Sequence, residues 1–177
     1  MCKNIILLQK LVKSIINIIA LISNMDSLND IFSENIENNS SKKIIDKVRK
    51  GEWNDILKGL CSIKENCIIL NYIYFKHLAK DETYTYILNY ITNNIDKILL
   101  KNNEFIVHVN MKNLTIVDID KHKEYIKYIS EFLKDKYPEK LAKCYVHNAP
   151  FIFTQIFNIV SMFIDKETQK KIELVKK

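Results

Sequence analysis

From Asn148 to Ile164 the chain carries no charged residue, although 27% of its 177 residues are charged. Such a run must be covered by protein or by lipid. It is too short for a membrane span, which needs about 20 apolar residues, and it contains Pro150, Gln155 and two asparagines. As a helix it places Phe151, Phe153, Ile156, Phe157, Val160, Phe163 and Ile164 around more than half of its circumference. Thr154, Asn158 and Ser161 form one narrow polar stripe. Asn148 is expected to cap this helix, with Pro150 in its first turn.

The flanks impose order on the run. Tyr125, Ile126, Ile129, Phe132 and Leu133 predict a helix over about 120–136, which Pro138 stops. Leu141 to His147 reads as a short strand. Asp165 to Thr168 supplies a capping-type start for one more turn, and Lys170 to Val175 alternates like a terminal strand. Upstream, Cys67 to Phe75 reads as a buried strand and Glu104 to Val109 as another. The helix Glu82 to Leu100 between them aligns Tyr84, Ile87, Leu88, Ile91, Ile95 and Ile98 on one face. Strands alternating with helices of this size imply crossovers. The expected class is α/β, a mainly parallel sheet with crossover helices, preceded by N-terminal helices.

The order Tyr-Pro-Glu (Tyr137–Glu139), strand, Asn-Ala-Pro-Phe (Asn148–Phe151), phenylalanine-rich helix, Phe-Ile-Asp, Thr168 and Lys171-Ile172 resembles the CRAL-TRIO lipid-binding domain. Within that family it is most similar to the yeast-type phosphatidylinositol transfer proteins. The resemblance is specific over about 36 residues and weaker back to Cys67. It implies that residues 150–164 form the gate over a lipid cavity, and that Glu139, Thr168 and Lys171 contact a phosphoinositol head. A carboxylate accepts hydrogen bonds from ring hydroxyls, and a lysine answers a phosphodiester as a point charge. Taken without the motif, the same residues read as two surface charges and a capping threonine, and the aromatic helix as ordinary core. Asn110 and Asn113 stand where the family usually has an aspartate and a glycine, and Lys64-Glu65-Asn66 replaces its Gly-Arg-Pro entry. The chain also ends at Lys177, where relatives usually continue, so the domain reads as C-terminally abbreviated.

An enzyme is not expected. His77, His108, His122 and His147 lack metal-ligand spacing, no Gly-x-Ser-x-Gly elbow occurs, and two glycines cannot build a phosphate-cradling loop. The two histidines on predicted strands, His108 and His147, read as hydrogen-bonded core or pocket residues. Cys2, Cys61, Cys67 and Cys144 read as free structural thiols. The formal charge of +6 is nearly all lysine, with Arg49 the one arginine, which favours anionic membranes over base-specific nucleic-acid readout.

Residues 1–24 are dense in Ile and Leu with Lys3, Lys10 and Lys13, so they read as an amphipathic interfacial helix or anchor, or as a helix packed on the domain. Met25 is an alternative start. Residues 25–65 form a helical N-terminal region with a polar linker at 33–43, Gly51 separating short helices and Trp53 anchoring them. Residues 66–177 form the lipid-binding domain. The expectation is a non-enzymatic, cytoplasmic phospholipid carrier, with no cofactor beyond the bound phospholipid and with peripheral membrane contact through residues 1–24. The alternative is a protein-interaction module of the same fold, binding a small GTPase regulator or scaffold without lipid exchange.

Overall fold

The computed structural model describes residues 41–175, all within one unit, Ser41–Lys177. The expectations for residues 1–24, for Met25 and for most of the linker lie outside the described residues. Ser41 to Lys43, expected at the linker's end, form the first turn of α1 (Ser41–Lys50). Gly51 closes that helix at φ +71°, a left-handed position that glycine adopts without penalty. The Glu52 amide reaches back to Lys47 O and the Gly51 amide to Val48 O, a Schellman ending.

In α2 (Trp53–Leu60) the anchors are Ile56 and Leu60, together with Ile44 from α1. Trp53 does not have the anchoring role expected of it. It is 47% exposed, because it begins the helix on the side turned from the core.

Two further differences from the sequence reading follow. β1 (Cys61–Lys64) and β2 (Cys67–Asn71) form an antiparallel hairpin, so Lys64-Glu65-Asn66 is its turn, with Glu65 at φ +55°. The apolar run after Cys67 is also not one strand. It ends at Asn71, and Tyr72 opens α3 (Tyr72–Leu78), whose Tyr74 and Leu78 sit one turn apart in the core. Tyr74 lies so close to α2 that a Cβ on Gly59 would come within 2.3 Å of its ring.

The remainder follows the α/β pattern. α4 (Tyr84–Leu99) buries Ile87, Leu88, Ile91, Ile95 and Ile98, each contributing about 1.5–3 kcal/mol. Then come β3 (Phe105–Asn110), α5 (Ile116–Lys121), α6 (Lys123–Lys136) and β4 (Leu141–His147). α7 (Phe153–Val160), a 3₁₀ turn (Ser161–Phe163), α8 (Lys166–Lys170) and β5 (Ile172–Leu174) close the described chain. The expected helix from 120 breaks at His122, where the backbone leaves helical values between α5 and α6.

The five strands lie in chain order, β2 to β5 parallel and β1 antiparallel at one edge. Ile68, Leu70, Phe105, Val107 and Leu141 point into the main core beneath α4. Alternation along the strands puts Ile69, His108 and Tyr145 in one row of the other face, and Asn71, Asn110 and His147 in the next.

Candidate functional site

Parallel strands give the sheet two chemically distinct edges, and the connection from β4 to β5 spans both. α7 starts beyond the C-terminal end of β4, and α8 delivers the chain to the N-terminal end of β5. The intervening segment therefore runs back along the sheet. A seven-residue strand covers roughly 20 Å.

At the N-terminal edge, α6 ends at Lys136 and Tyr137-Pro138-Glu139-Lys140 makes a turn closed by the Lys140 amide on Tyr137 O at 3.2 Å. Pro138 occupies its first central position and Glu139 its second, at φ +60°, a type II geometry that favours glycine or asparagine. Glu139 is exposed there. Lys171, just before β5, donates its ammonium to Leu141 O at 2.6 Å, while its own carbonyl takes the Cys144 amide at 2.8 Å. The structure thus places the charged ends of the Tyr-Pro-Glu and Lys-Ile motifs at the same edge. Thr168 is committed to capping: its amide and hydroxyl donate to the two oxygens of Asp165 at 3.0 and 2.9 Å. Those bonds, the backbone one foremost, hold the Asp165 carboxyl below the usual carboxylate range.

At the C-terminal edge the apolar run is a helix only over Phe153–Val160. It tightens into the 3₁₀ turn and turns extended at Ile164. Asn148 does not cap it. The cap position is Ile152 and lacks a side-chain bond, because Asn148 takes φ +50° and gives its amide to Asn110 Oδ1 at 3.1 Å. Ile156 is 2% exposed and packs with Leu114 and Ile119, flanked by Tyr72, Met111 and Ile159. Phe151, by contrast, is 98% exposed. Phe153, Phe157, Val160, Phe163 and Ile164 are half-buried, with the Phe153 and Phe157 rings 5.8 Å apart.

Between the edges lies a polar stretch of sheet that spacing did not disclose. His108 Nδ1 and His147 Nε2 lie 2.9 Å apart, both buried, and the His108 ring stacks on Tyr145. Burial first, and the neighbouring His147 second, hold His108 down at about 4; burial also lowers His147. Asn110 donates to Asn71 Oδ1 at 3.3 Å, and Asn71 donates to Gly59 O at 3.1 Å. Asn113 takes φ +67°, the conformation a glycine would supply.

A family model for the CRAL/TRIO domain matches residues 64–177, well over half of the chain. The chain belongs to the CRAL/TRIO family. Over 67 residues, 38% of this chain, it is 37% identical to the Sec14 cytosolic factor of Schizosaccharomyces pombe. Over 66 residues, 37% of this chain, it is 29% identical to the SEC14 cytosolic factor of Yarrowia lipolytica. The aligned segments cover 23% and 13% of those relatives. Among solved structures, the crystal structure of Sfh5 superimposes on 70% of this chain with a TM-score of 0.56 at 20% identity, over 48% of its own length. The CRAL/TRIO fold, a mostly parallel sheet with crossover helices, is therefore established for this chain.

The described cysteines, two of them within the matched CRAL/TRIO residues, are poor nucleophiles. Burial pushes Cys144 up to about 12 and Cys61 up to about 11, and Cys67 is raised for the same reason. Among the described residues no three His, Cys, Asp or Glu side chains gather as metal ligands, and no helix is long and apolar enough to cross a membrane.

α5 was missed in the sequence although its signal is present. Thr115 and Asp118 form a reciprocal capping box, and Lys76 pairs with Asp118 at 3.1 Å.

Proposed function

We propose that this domain holds a phospholipid, phosphatidylinositol or a related glycerophospholipid, along the segment from β4 to β5, and exchanges it without catalysing a reaction. The observation that carries the reading is the Lys171 ammonium at the strand edge it shares with Glu139, with the uncharged helix starting from the other edge. A phospholipid matches that layout. Its head would meet Lys171, Glu139 and Thr168, and its chains, each about half of the ~30 Å bilayer core in length, would run toward α7. Phe151, Phe153, Ile156, Phe157, Val160, Phe163 and Ile164 then act as gate and pocket wall.

The environments of Lys171 and Glu139 support this. Lys171 is bonded to a neutral carbonyl, so its charge is uncompensated and two of its three protons are free for a phosphate. A glutamate at a left-handed position costs stability, and such strain is commonly kept where the side chain has work to do. The lysine-rich charge suits transient contact with anionic membranes, with the cytoplasm as the working compartment.

Ile156 favours a second reading, in which α7 is seated on a filled cluster and the domain docks a protein regulator instead of exchanging lipid. Organic extraction of the purified protein followed by mass spectrometry separates the two. Stoichiometric phospholipid supports the carrier. An empty protein that also fails to take up labelled phosphatidylinositol leaves only the docking module.

A further inference from the structure

Gln169 follows Thr168 in α8, and its side chain reaches back to the end of the uncharged run. Its amide nitrogen donates to Ser161 O at 2.8 Å and to Ile164 O at 2.6 Å. Both partners are carbonyls, so the nitrogen end of the amide has to face them and both of its protons are used. A carboxylate could not take its place.

The two carbonyls lie where the helical ladder runs out. α7 has tightened into the 3₁₀ turn at Ser161, Ile164 is extended at φ −112° and ψ 130°, and its amide reaches Ser161 O only at 3.4 Å, beyond the usual hydrogen-bond range. Gln169 supplies the donors that a further turn would have given.

The other side of this bridge is fixed to the sheet. α8 has five residues, too few to hold a helix unaided. At its start the Asp165 cap holds Thr168, and at its end the Lys171 carbonyl takes the Cys144 amide while the ammonium meets Leu141 O. The Lys171 amide closes on Thr168 O at 3.0 Å, which joins Thr168, Gln169 and Lys171 within one turn. Residues 161–164 therefore cannot draw away from α8 without breaking both Gln169 bonds. They cannot take α8 along without pulling Lys171 off β4.

We infer, on the carrier reading above, that Gln169 is a positioning residue that ties the end of the gate to the head-group turn, so that seating a lipid head and closing residues 161–164 are one event. A head held by Thr168 and Lys171 stiffens α8, and Gln169 passes that order to Ser161 and Ile164. The start of the gate is seated separately, by Ile156 among Leu114 and Ile119. Two neutral hydrogen bonds are a modest restraint, so the bridge governs how readily the gate opens rather than whether the domain folds.

The test loads the full chain with labelled phosphatidylinositol and follows its release to phosphatidylcholine vesicles, together with hydrogen exchange of the 161–164 amides with and without lipid. In the wild type, loading should slow exchange of those amides about tenfold. Gln169→Leu keeps the bulk and removes both donors, so release should quicken about tenfold and the effect of lipid on exchange should shrink below about twofold. Gln169→Glu keeps the shape but turns an acceptor toward two carbonyls, and should behave in the same way. Lys170→Ala loses only an exposed pair with Glu167 on the same helix and should match the wild type. Wild-type release and a wild-type exchange response in both Gln169 variants overturn the inference and leave the carrier reading in place. A lower melting temperature in those variants with an unchanged response to lipid also overturns it, since that is all a merely structural glutamine would give. A wild-type protein that takes up no lipid overturns both readings.

Discussion

The Lys171 ammonium donates to the carbonyl of Leu141 at 2.6 Å, so a cation at the start of β5 is pinned to the start of β4, two residues after Glu139. This bond fixes where the charge sits without neutralising it. Under the proposed carrier function, replacing Lys171 with alanine would remove a charge-assisted contact to the lipid phosphate, worth about 1.5–3 kcal/mol. Phosphatidylinositol loading should fall by about tenfold or more, read as bound lipid per protein by mass spectrometry. The carbonyl left behind is near solvent, so the melting temperature should change by no more than about 2 °C. Unchanged loading would remove Lys171 from the head-group site.

Glu139 has the opposite profile. Glycine relieves its left-handed backbone, so Glu139→Gly should stabilise the domain by about 0.5–1 kcal/mol and raise the melting temperature by roughly 1–4 °C. The same change should lower lipid loading. Glu139→Gln, which keeps the strain, should lower loading without the gain in stability. A melting temperature that drops in the glycine variant would contradict the type II turn.

Phe151 and Ile156 separate two jobs within the apolar run. Ile156→Ala leaves a cavity among Leu114 and Ile119 and should cost about 2–4 kcal/mol in a urea melt. Phe151→Ala removes an exposed ring and should cost less than about 0.5 kcal/mol, yet slow lipid transfer between vesicles. Equal destabilisation by the two would mean that Phe151 is core.

The buried histidine pair makes stability depend on pH. His108 titrates near 6.5 when unfolded and at about 4 when folded, so between those values the unfolded chain binds more protons. Its contribution is full above pH 6.5 and is lost as pH falls toward 4, on the order of 1–3 kcal/mol in all. His147, also lowered by burial, acts in the same direction. Thermal melts from pH 7.5 to 4.5 should show this fall, and His108→Gln should flatten it. A wild-type melting temperature that stays level to pH 4.5 would show that the pair is not buried in its neutral form.

Sequence patterning disclosed the later half of the fold well, because punctuation brackets each element. Pro138 and Asn148 enclose β4, which runs over the expected residues, and Asp165 marks α8. It failed at β1, whose four residues and Glu-Asn turn carry no hairpin signature, and at Tyr72, where an apolar run continues through a change of geometry. The resemblance singled out Glu139, Thr168 and Lys171, and the structure sets Glu139 and Lys171 at one edge. The meeting of His108 and His147 was not legible. It depends on a register shift between Phe105 and Ile106 against β4, which inserts an extra residue opposite and sets the diagonal pairing of the rings. No local pattern encodes that offset, since it is settled by how β3 and β4 pair.

Asn148, Asn110, Asn71 and the carbonyl of Gly59 form a head-to-tail relay across the strand tips, each amide giving a proton to the next acceptor. Asn110 also accepts the Lys112 amide, so one side chain serves both as donor and as double acceptor. An aspartate in its place could receive but not pass on, which would leave the Asn71 oxygen facing a carboxylate with no proton to share. The relay's polarity therefore couples three strand ends to the last turn of α2 through neutral groups alone. This seam keeps its bonding sense across the same acidic range in which the histidine pair beside it takes on charge.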